Sequence, residues 1–189
     1  MFDARRITAK GWYGPVLFTM PVVMALSFAV QRLAGTAVPP PRLALVSMPV
    51  LSVLFFAGAL GEELGWSGYA AGRLQARWGA LGAGLVLGAF WAAYHYPGLV
   101  QAHRGAAWIA WWTLGTLAAR VIMVWLYNHT GGSVFAAALF HTTINVTWQL
   151  YPVDGSYYDP RVTGLILAAV ALLVTIIWGP RSLSRRIAA

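Results

Sequence analysis

The sequence contains no cysteine, so disulfide bonds, thiolate nucleophiles and cysteine-ligated metal centres are excluded. Charge is scarce as well, at 10% of the 189 residues. Five acidic residues and four histidines, together with the tyrosines, are the whole stock of side chains for general acid or base chemistry. Any hydrolytic or proton-transfer site must therefore be built from few candidates.

What the sequence has in abundance is apolar residues, at 59% of the chain with a mean hydropathy of +0.66. This composition excludes an ordinary soluble domain and indicates a multi-span membrane protein. The net charge of +8 comes from basic residues scattered through loops and ends, not gathered on one face, so we expect no nucleic-acid partner. We predict an all-α, polytopic membrane helical bundle, a single membrane domain over residues 1–189 that is embedded in the lipid bilayer.

The apolar runs predict about six transmembrane helices, because each is near the ~20 residues that a spanning helix needs. Residues 32–41 offer no convincing signal-peptidase site, so we expect the first span to be retained. Proline at position 97 is expected to stop the third span. Turns are expected at Trp78 and Gly79 and again at residues 128–132. The predicted spans are residues 13–30, from about 43 to the amphipathic end near 77, 80–96, 107–127, 133–150 and 162–178.

Basic residues outside the spans are distributed unequally between the two sides of the predicted bundle. Eight of them lie in the N-terminus, the turn near residue 78 and the C-terminal tail, against four in the opposite loops. The positive-inside rule therefore places both termini in the cytoplasm. We expect a multi-pass protein of the plasma membrane.

Two acids and a histidine interrupt the second and third spans. Glu62 and Glu63 close the apolar run that precedes the turn at residues 78–79, and His95 follows that turn. A carboxylate at membrane depth costs several kcal/mol unless it is paired, neutralised or facing water, so it indicates a functional site. Glu62 and His95 are about equally far from the turn, and at ~1.5 Å rise per residue they lie at similar height. We expect the acid and the imidazole to meet across the hairpin.

A second polar group lies on the fourth and fifth spans. His141 and Asn145 are four residues apart and share one helix face. Arg120 and His141 are nearly equidistant from the turn near residue 130, so the guanidinium can lie level with that histidine and neutralise a glutamate. Glu62 and Glu63 are ~100° apart on a helix, so one of them faces the site while the other supports it.

This set of side chains fits three kinds of chemistry. A glutamate with a histidine can activate water as a general base while a second histidine and an asparagine donate to an oxyanion. Alternatively, Glu62, His95 and His141 can hold one divalent metal such as zinc, although the HExxH spacing is absent. Intramembrane carboxylates and histidines also build ion or proton pathways, as in an ion-coupled transporter. The residues by themselves leave these alternatives open.

Three segments, EELGWSGYAAGRLQ, WAAYHYP and LFHTTIN, together resemble the motifs of the CPBP family, the CAAX prenyl protease and bacteriocin-processing (Abi) membrane proteins. The resemblance covers roughly residues 44–150 and implies an intramembrane endopeptidase that cleaves a peptide or protein substrate. It implies that Glu62 and His95 activate water and that His141 and Asn145 support the oxyanion. Both a metalloprotease-like and a glutamate-dependent mechanism remain open. The alternative is a catalytically idle immunity or scaffold protein of the same fold.

The sequence departs from the family pattern at two positions. The family has an arginine four residues after the second glutamate, where this chain has Ser67, and a phenylalanine where it has Trp91. The first change removes an expected partner of Glu63. We expect Arg120 to take the place of that arginine, so Glu63, Ser67, Trp91 and Arg120 are predicted to support the site.

Overall fold

The computed structural model describes residues 4, 7–41 and 47–184, and in these ranges it contains helices and no β-strand. A π-helical segment, Leu64–Ala71, joins the second helix to the third without a break. The α-helices are α1 (Tyr13–Leu33), α2 (Ser47–Glu63), α3 (Gly72–Gln101), α4 (Ala106–His129), α5 (Val134–Gln149) and α6 (Pro160–Trp178). The predicted all-helical bundle is confirmed.

Four helical stretches in the described ranges are long and apolar enough to cross a membrane: Lys10–Leu33, Met48–Gln101, Ala106–His129 and Pro160–Trp178. Met48–Gln101 contains both arms of the predicted hairpin. Helix α5 has 16 residues, fewer than the ~20 that a straight span needs. The chain is thus a multi-pass membrane protein, but the predicted count of six spans is not confirmed.

The hairpin turns at Gly79, as the sequence predicted. This residue has φ 72° and ψ 175°, a backbone conformation that favours glycine, and it divides α3 into two arms. The C-terminal segment closes the turn, because Ala80 N donates to Arg181 O at 2.8 Å and Leu81 N donates to Pro180 O at 2.9 Å. These carbonyls satisfy amide groups that begin the second arm and have no partner within it.

The prediction that Pro97 ends the third span is wrong. Helix α3 continues to Gln101, with Pro97 inside it, and the connection to α4 shrinks to residues 102–105. Proline removes one amide hydrogen, and membrane helices tolerate this loss where the surrounding structure satisfies the freed carbonyl. The predicted start of the second span, near Leu43, lies outside the described residues.

Helix α4 lies at the centre of the bundle, packed on α3 and α6, while α2 and α1 pack on α5. Every residue of α4 from 118 to 126 is buried, Arg120 included. Gly88 lets α3 approach α4 closely, because a Cβ atom there would lie 2.9 Å from Leu117 Cα and 3.3 Å from Arg120 Cβ. This close approach brings Arg120 beside the polar residues of the hairpin.

The segments with the most basic residues lie at one end of the bundle. The Trp12 ring stacks on His129 with centroids 4.1 Å apart, and Asn128 donates to both Gln75 and the Ser182 carbonyl. The start of α1, the hairpin turn and the segment after α6 therefore meet on the same side, as the charge distribution requires. Basic residues of that count which lie outside the described ranges are Arg5, Arg6, Arg42, Arg185 and Arg186.

Candidate active site

The two adjacent acids lie where α2 passes into the π-helical segment. Glu63 is fully buried, whereas Glu62 is half-buried. Short π-helical segments inside α-helices occur frequently at functional sites, and this one follows the acids directly. The adjacent carboxylates thus point in different directions, as their ~100° separation on a helix predicted.

Glu63 accepts hydrogen bonds from three buried side chains, and we call these four residues the ion-pair cluster. Arg120 Nη1 lies 2.9 Å from both Oε1 and Oε2 of Glu63, and His141 Nδ1 lies 3.0 Å from Oε1. The Ser67 hydroxyl donates to Oε2. None of the four side chains is more than 4% exposed. The predicted contact between Arg120 and a glutamate is confirmed, and the glutamate is Glu63.

The Ser67 hydroxyl changes the interpretation of the missing motif arginine. We expected Ser67 to leave Glu63 short of a partner, but its hydroxyl, four residues along the helix, reaches the carboxylate directly. Serine therefore supplies the hydrogen bond while Arg120 supplies the positive charge from another helix. Ser67 and Arg120 thus both bind the carboxylate that the motif arginine was expected to contact.

Arg120 is also held by an aromatic ring. Its guanidinium carbon lies 4.3 Å from the centre of the Trp91 indole. Its Nε and Nη2 atoms have no hydrogen-bond partner among the described residues. A desolvated guanidinium over an indole face gains cation–π energy of ~2 kcal/mol, which offsets part of the cost of those unpaired donors.

Glu62 has a different partner from the one that the sequence predicted. Trp91 Nε1 donates to Glu62 Oε2 at 2.9 Å, and Glu62 makes no hydrogen bond with His95. The equal spacing of Glu62 and His95 from the turn predicted that the two side chains lie level with each other. Trp91, one helical turn before His95 on the same face, reaches the carboxylate first because its indole is larger.

His95 is oriented by the backbone of its own helix. Its Nδ1 lies 2.8 Å from the Trp91 carbonyl oxygen, and a carbonyl only accepts, so Nδ1 carries the hydrogen. In the neutral ring Nε2 is then an acceptor, which is the state that a general base needs. The ring also lies edge-on to Trp91, with centroids 5.7 Å apart.

His95 and Asn145 line the same cavity, which has a volume of about 190 Å³. Its other lining residues are mostly apolar or aromatic. Burial raises the pKa of the Tyr158 hydroxyl, in the loop before α6, so this group stays protonated. The remaining lining residues are Met20, Met24, Trp91, Trp112, Gly115, Thr116, Ala119, Ile144, Trp148 and Leu167.

His141 lies one helical turn from Asn145 and belongs to the ion-pair cluster. Its ring is 2% exposed and edge-on to Trp91, with centroids 4.9 Å apart. Because Nδ1 contacts the Glu63 carboxylate, that nitrogen carries a hydrogen. His141 and Asn145 share one face of α5, as their spacing predicted. The imidazole that Glu63 orients therefore lies beside Asn145, which lines the cavity.

Glu62, His95 and His141 do not form a metal-ligand group. Across the ranges that the structure describes, no three histidine, aspartate or glutamate side chains are arranged to hold an ion. Trp91 binds the Glu62 carboxylate, and the Arg120 cation and His141 share Glu63. The donor set as arranged does not fit a three-ligand zinc site.

Comparison with known proteins identifies the family. Residues 44–147 match the family described as Type II CAAX prenyl endopeptidase Rce1-like. The chain belongs to this family. It is also 30% identical over 135 residues to a protein from Methanococcus maripaludis named CAAX prenyl protease 2. The alignment covers 66% of this chain and 49% of the relative, so the chain spans about half the length of the curated relative that it matches.

The match includes all three motifs on which the resemblance rested, and the structure brings their polar residues together around Trp91. Sequence reasoning missed the indole hydrogen bond to Glu62 and the π-helical segment. The first had a visible signal, because tryptophan replaces the phenylalanine of the family pattern and adds one donor. The second had none, since the residues of Leu64–Ala71 are also compatible with an ordinary α-helix.

Proposed function

We propose that this protein is an intramembrane endopeptidase that hydrolyses peptide bonds in a peptide or protein substrate. The observation that carries the proposal is the shared cavity of His95 and Asn145, which Trp91 also lines while its indole binds the Glu62 carboxylate. Membership in a family of prenyl endopeptidases supports it. No cysteine is present, and Ser67, the serine of the motifs, is buried with its hydroxyl on Glu63, so water is the proposed nucleophile.

Glu62 and His95 are proposed to activate that water. The water oxygen attacks the carbonyl carbon while its proton moves to the Glu62 carboxylate or to His95 Nε2. The proton then passes to the amide nitrogen and the C–N bond breaks. The second proton of the water moves to the released amine, so the products leave as a carboxylate and an ammonium group. The Nδ1 contact with the Trp91 carbonyl supports this role, because it leaves Nε2 as the basic nitrogen.

His141 and Asn145 are proposed to stabilise the oxyanion that forms on the carbonyl oxygen. The Asn145 amide donates directly, and a protonated His141 donates through Nε2 while Nδ1 stays on Glu63. The Glu63 carboxylate lies 3.0 Å from His141 Nδ1 and so orients the ring. The ion-pair cluster thus holds the donor in place and supplies its counter-charge.

The test is peptide cleavage by the purified chain in liposomes against a library of membrane peptides. Glu62→Gln and His95→Ala should each lower kcat at least ~10²-fold, the usual scale for a general base. His103→Ala is the matched control, because His103 lies in the turn after α3, away from the cavity. Full rates in both site variants would refute the assignment.

Two other outcomes identify the alternatives. A folded wild-type chain that cleaves nothing would favour an idle immunity or scaffold protein. Substrate-dependent or proton-dependent flux without cleavage would identify an ion-coupled transporter.

We also propose that the chain lies in the plasma membrane with both termini in the cytoplasm. The meeting of the hairpin turn with the segment after α6 supports a common side for these basic regions. Since the sequence contains no cysteine, single cysteines can be labelled without background. In right-side-out cells, a membrane-impermeant maleimide should label Ser156→Cys and not Ser184→Cys, and the reverse pattern would invert the topology.

A further inference from the structure

Trp91 contacts four of the charged or titratable side chains of the candidate site: Glu62, His95, Arg120 and His141. Its indole nitrogen donates to Glu62, and its ring face carries the Arg120 guanidinium. The rings of His95 and His141 both lie edge-on to it, at 5.7 Å and 4.9 Å between centroids. One side chain therefore joins the Glu62 and His95 half of the site to the ion-pair cluster.

The contact with Glu62 depends on a hydrogen that phenylalanine does not have. A phenyl ring can support Arg120 and pack against both histidines, but it cannot donate to a carboxylate. Trp91 binds Oε2 only, and Oε1 of Glu62 has no hydrogen-bond partner among the described residues. The carboxylate is thus fixed through one oxygen while the other stays available to a water molecule.

We propose that Trp91 is a positioning residue whose indole N–H fixes the Glu62 carboxylate for water activation. The inference rests on the proposed peptidase function. It assigns the positioning of the Glu62 carboxylate to Trp91, whereas the sequence predicted that His95 contacts this carboxylate. Reaction rates are sensitive to such placement, because a misplacement of ~1 Å in a catalytic group can cost ~10²-fold. An unanchored carboxylate on a half-buried glutamate samples several rotamers, and only some of them face the substrate.

Trp91→Phe tests the role of the N–H while keeping an aromatic ring. We expect kcat to fall roughly 10- to 100-fold with KM and thermal stability little changed, because the substrate-binding surface and the core packing stay. Trp125→Phe is the matched control. Trp125 is buried like Trp91 but lies in α4 outside the cavity, and its Nε1 has no hydrogen-bond partner in the described chain. This variant should retain the wild-type kcat. Equal kcat in Trp91→Phe and wild type would overturn the proposal.

A double mutant distinguishes positioning from packing. If the indole acts only through the carboxylate, Trp91→Phe combined with Glu62→Gln should be no slower than Glu62→Gln alone. Additive losses would show that Trp91 affects the reaction independently of Glu62 and would refute the positioning role.

A readout without catalysis separates the failure of this inference from failure of the proposed function. In protein labelled with ¹⁵N-tryptophan, the Trp91 indole resonance, assigned by its absence in Trp91→Phe, should shift in Glu62→Ala. The Trp125 resonance should not move. An unmoved Trp91 resonance contradicts the hydrogen bond itself, whether or not the protein cleaves peptides. A shifted resonance in a chain that cleaves nothing refutes the peptidase function alone.

Discussion

Glu62 and Glu63 are neighbours in the sequence, yet they occupy two different environments. Glu63 is sealed from solvent and accepts hydrogen bonds from Ser67, Arg120 and His141. Glu62 is half-buried and, among the described residues, accepts one hydrogen bond, from Trp91. A buried carboxylate with three partners suits a structural role, whereas a carboxylate with one free oxygen suits chemistry. The neighbours of each acid, more than its residue type, indicate its role.

The ion-pair cluster illustrates why a buried charge needs several partners. Removing a carboxylate and a guanidinium from water costs several kcal/mol per ion even after relaxation. Each buried ion therefore needs hydrogen bonds and opposite charges in the protein to replace its contacts with water. Glu63 regains them from three helical segments, since Ser67, Arg120 and His141 lie on the π-helical segment, α4 and α5. The cluster therefore fastens these segments together around the site.

The largest expected effect comes from breaking the ion-pair cluster. Arg120→Leu should lower the free energy of unfolding by roughly 3–5 kcal/mol, because the buried Glu63 carboxylate loses its guanidinium partner. Adding Ser67→Arg should recover part of the loss, since the new guanidinium starts one helical turn from Glu63. Thermal unfolding in detergent micelles measures both changes.

Arg73→Leu is the control for that experiment. Arg73 is exposed and, among the described residues, contacts the ring and the carbonyl of Tyr69, so its loss should change stability by less than ~1 kcal/mol. If Arg120→Leu were as stable as Arg73→Leu, the structural role of the cluster would be wrong. A double mutant no better than Arg120→Leu would remove only the idea that Arg120 substitutes for the motif arginine.

The second prediction concerns the cavity side of the comparison. Asn145→Ala should lower kcat by about 10²- to 10³-fold, the scale for one lost oxyanion donor, while stability stays near wild type. Thr147→Val on the same helix is the control, because within the described part of the chain its hydroxyl donates to carbonyls of α5 itself. Initial rates at saturating peptide give the answer, and equal rates in the two variants would exclude Asn145 from the oxyanion site.

A smaller effect is expected when the cluster loses its one uncharged donor. Ser67→Ala should destabilise the fold by about 1.5–3 kcal/mol, the range for a hydrogen bond to a charged group. Glu63 keeps Arg120 and His141, so the loss should remain below that of Arg120→Leu. Chemical denaturation of the two variants under identical conditions ranks them, and a larger loss in Ser67→Ala would reverse our assignment of charge and hydrogen bond.

The smallest expected effect is that of a chelator. The donors that the sequence offered to a metal are engaged separately by Trp91 and by the ion-pair cluster, so we expect EDTA to leave the cleavage rate unchanged. The measurement is the rate before chelation, after it, and with zinc restored. Loss of activity that zinc restores would show that Glu62 and the histidines rearrange around an ion.

The sequence by itself determined the helical class, the membrane setting, the turn at Gly79 and the set of polar residues. Apolar runs of about 20 residues span lipid as helices, because a helix satisfies its backbone polar groups within one segment. Spacing along the helices also sufficed to predict that Arg120 lies level with His141 and reaches a glutamate, since height along a helix follows from residue number.

Only the tertiary structure decided which atoms meet. Residue number sets height, but the rotation of each helix, the close approach at Gly88 and the size of each side chain determine which partner reaches first. As a result, Glu62 accepts a hydrogen bond from Trp91 and not from His95, and Glu63 accepts hydrogen bonds from both Ser67 and Arg120. Helix α3 also continues beyond Pro97. Each of these outcomes depends on which of several neighbouring groups, on different turns or helices, lies closest in the folded protein. The sequence by itself does not contain those distances.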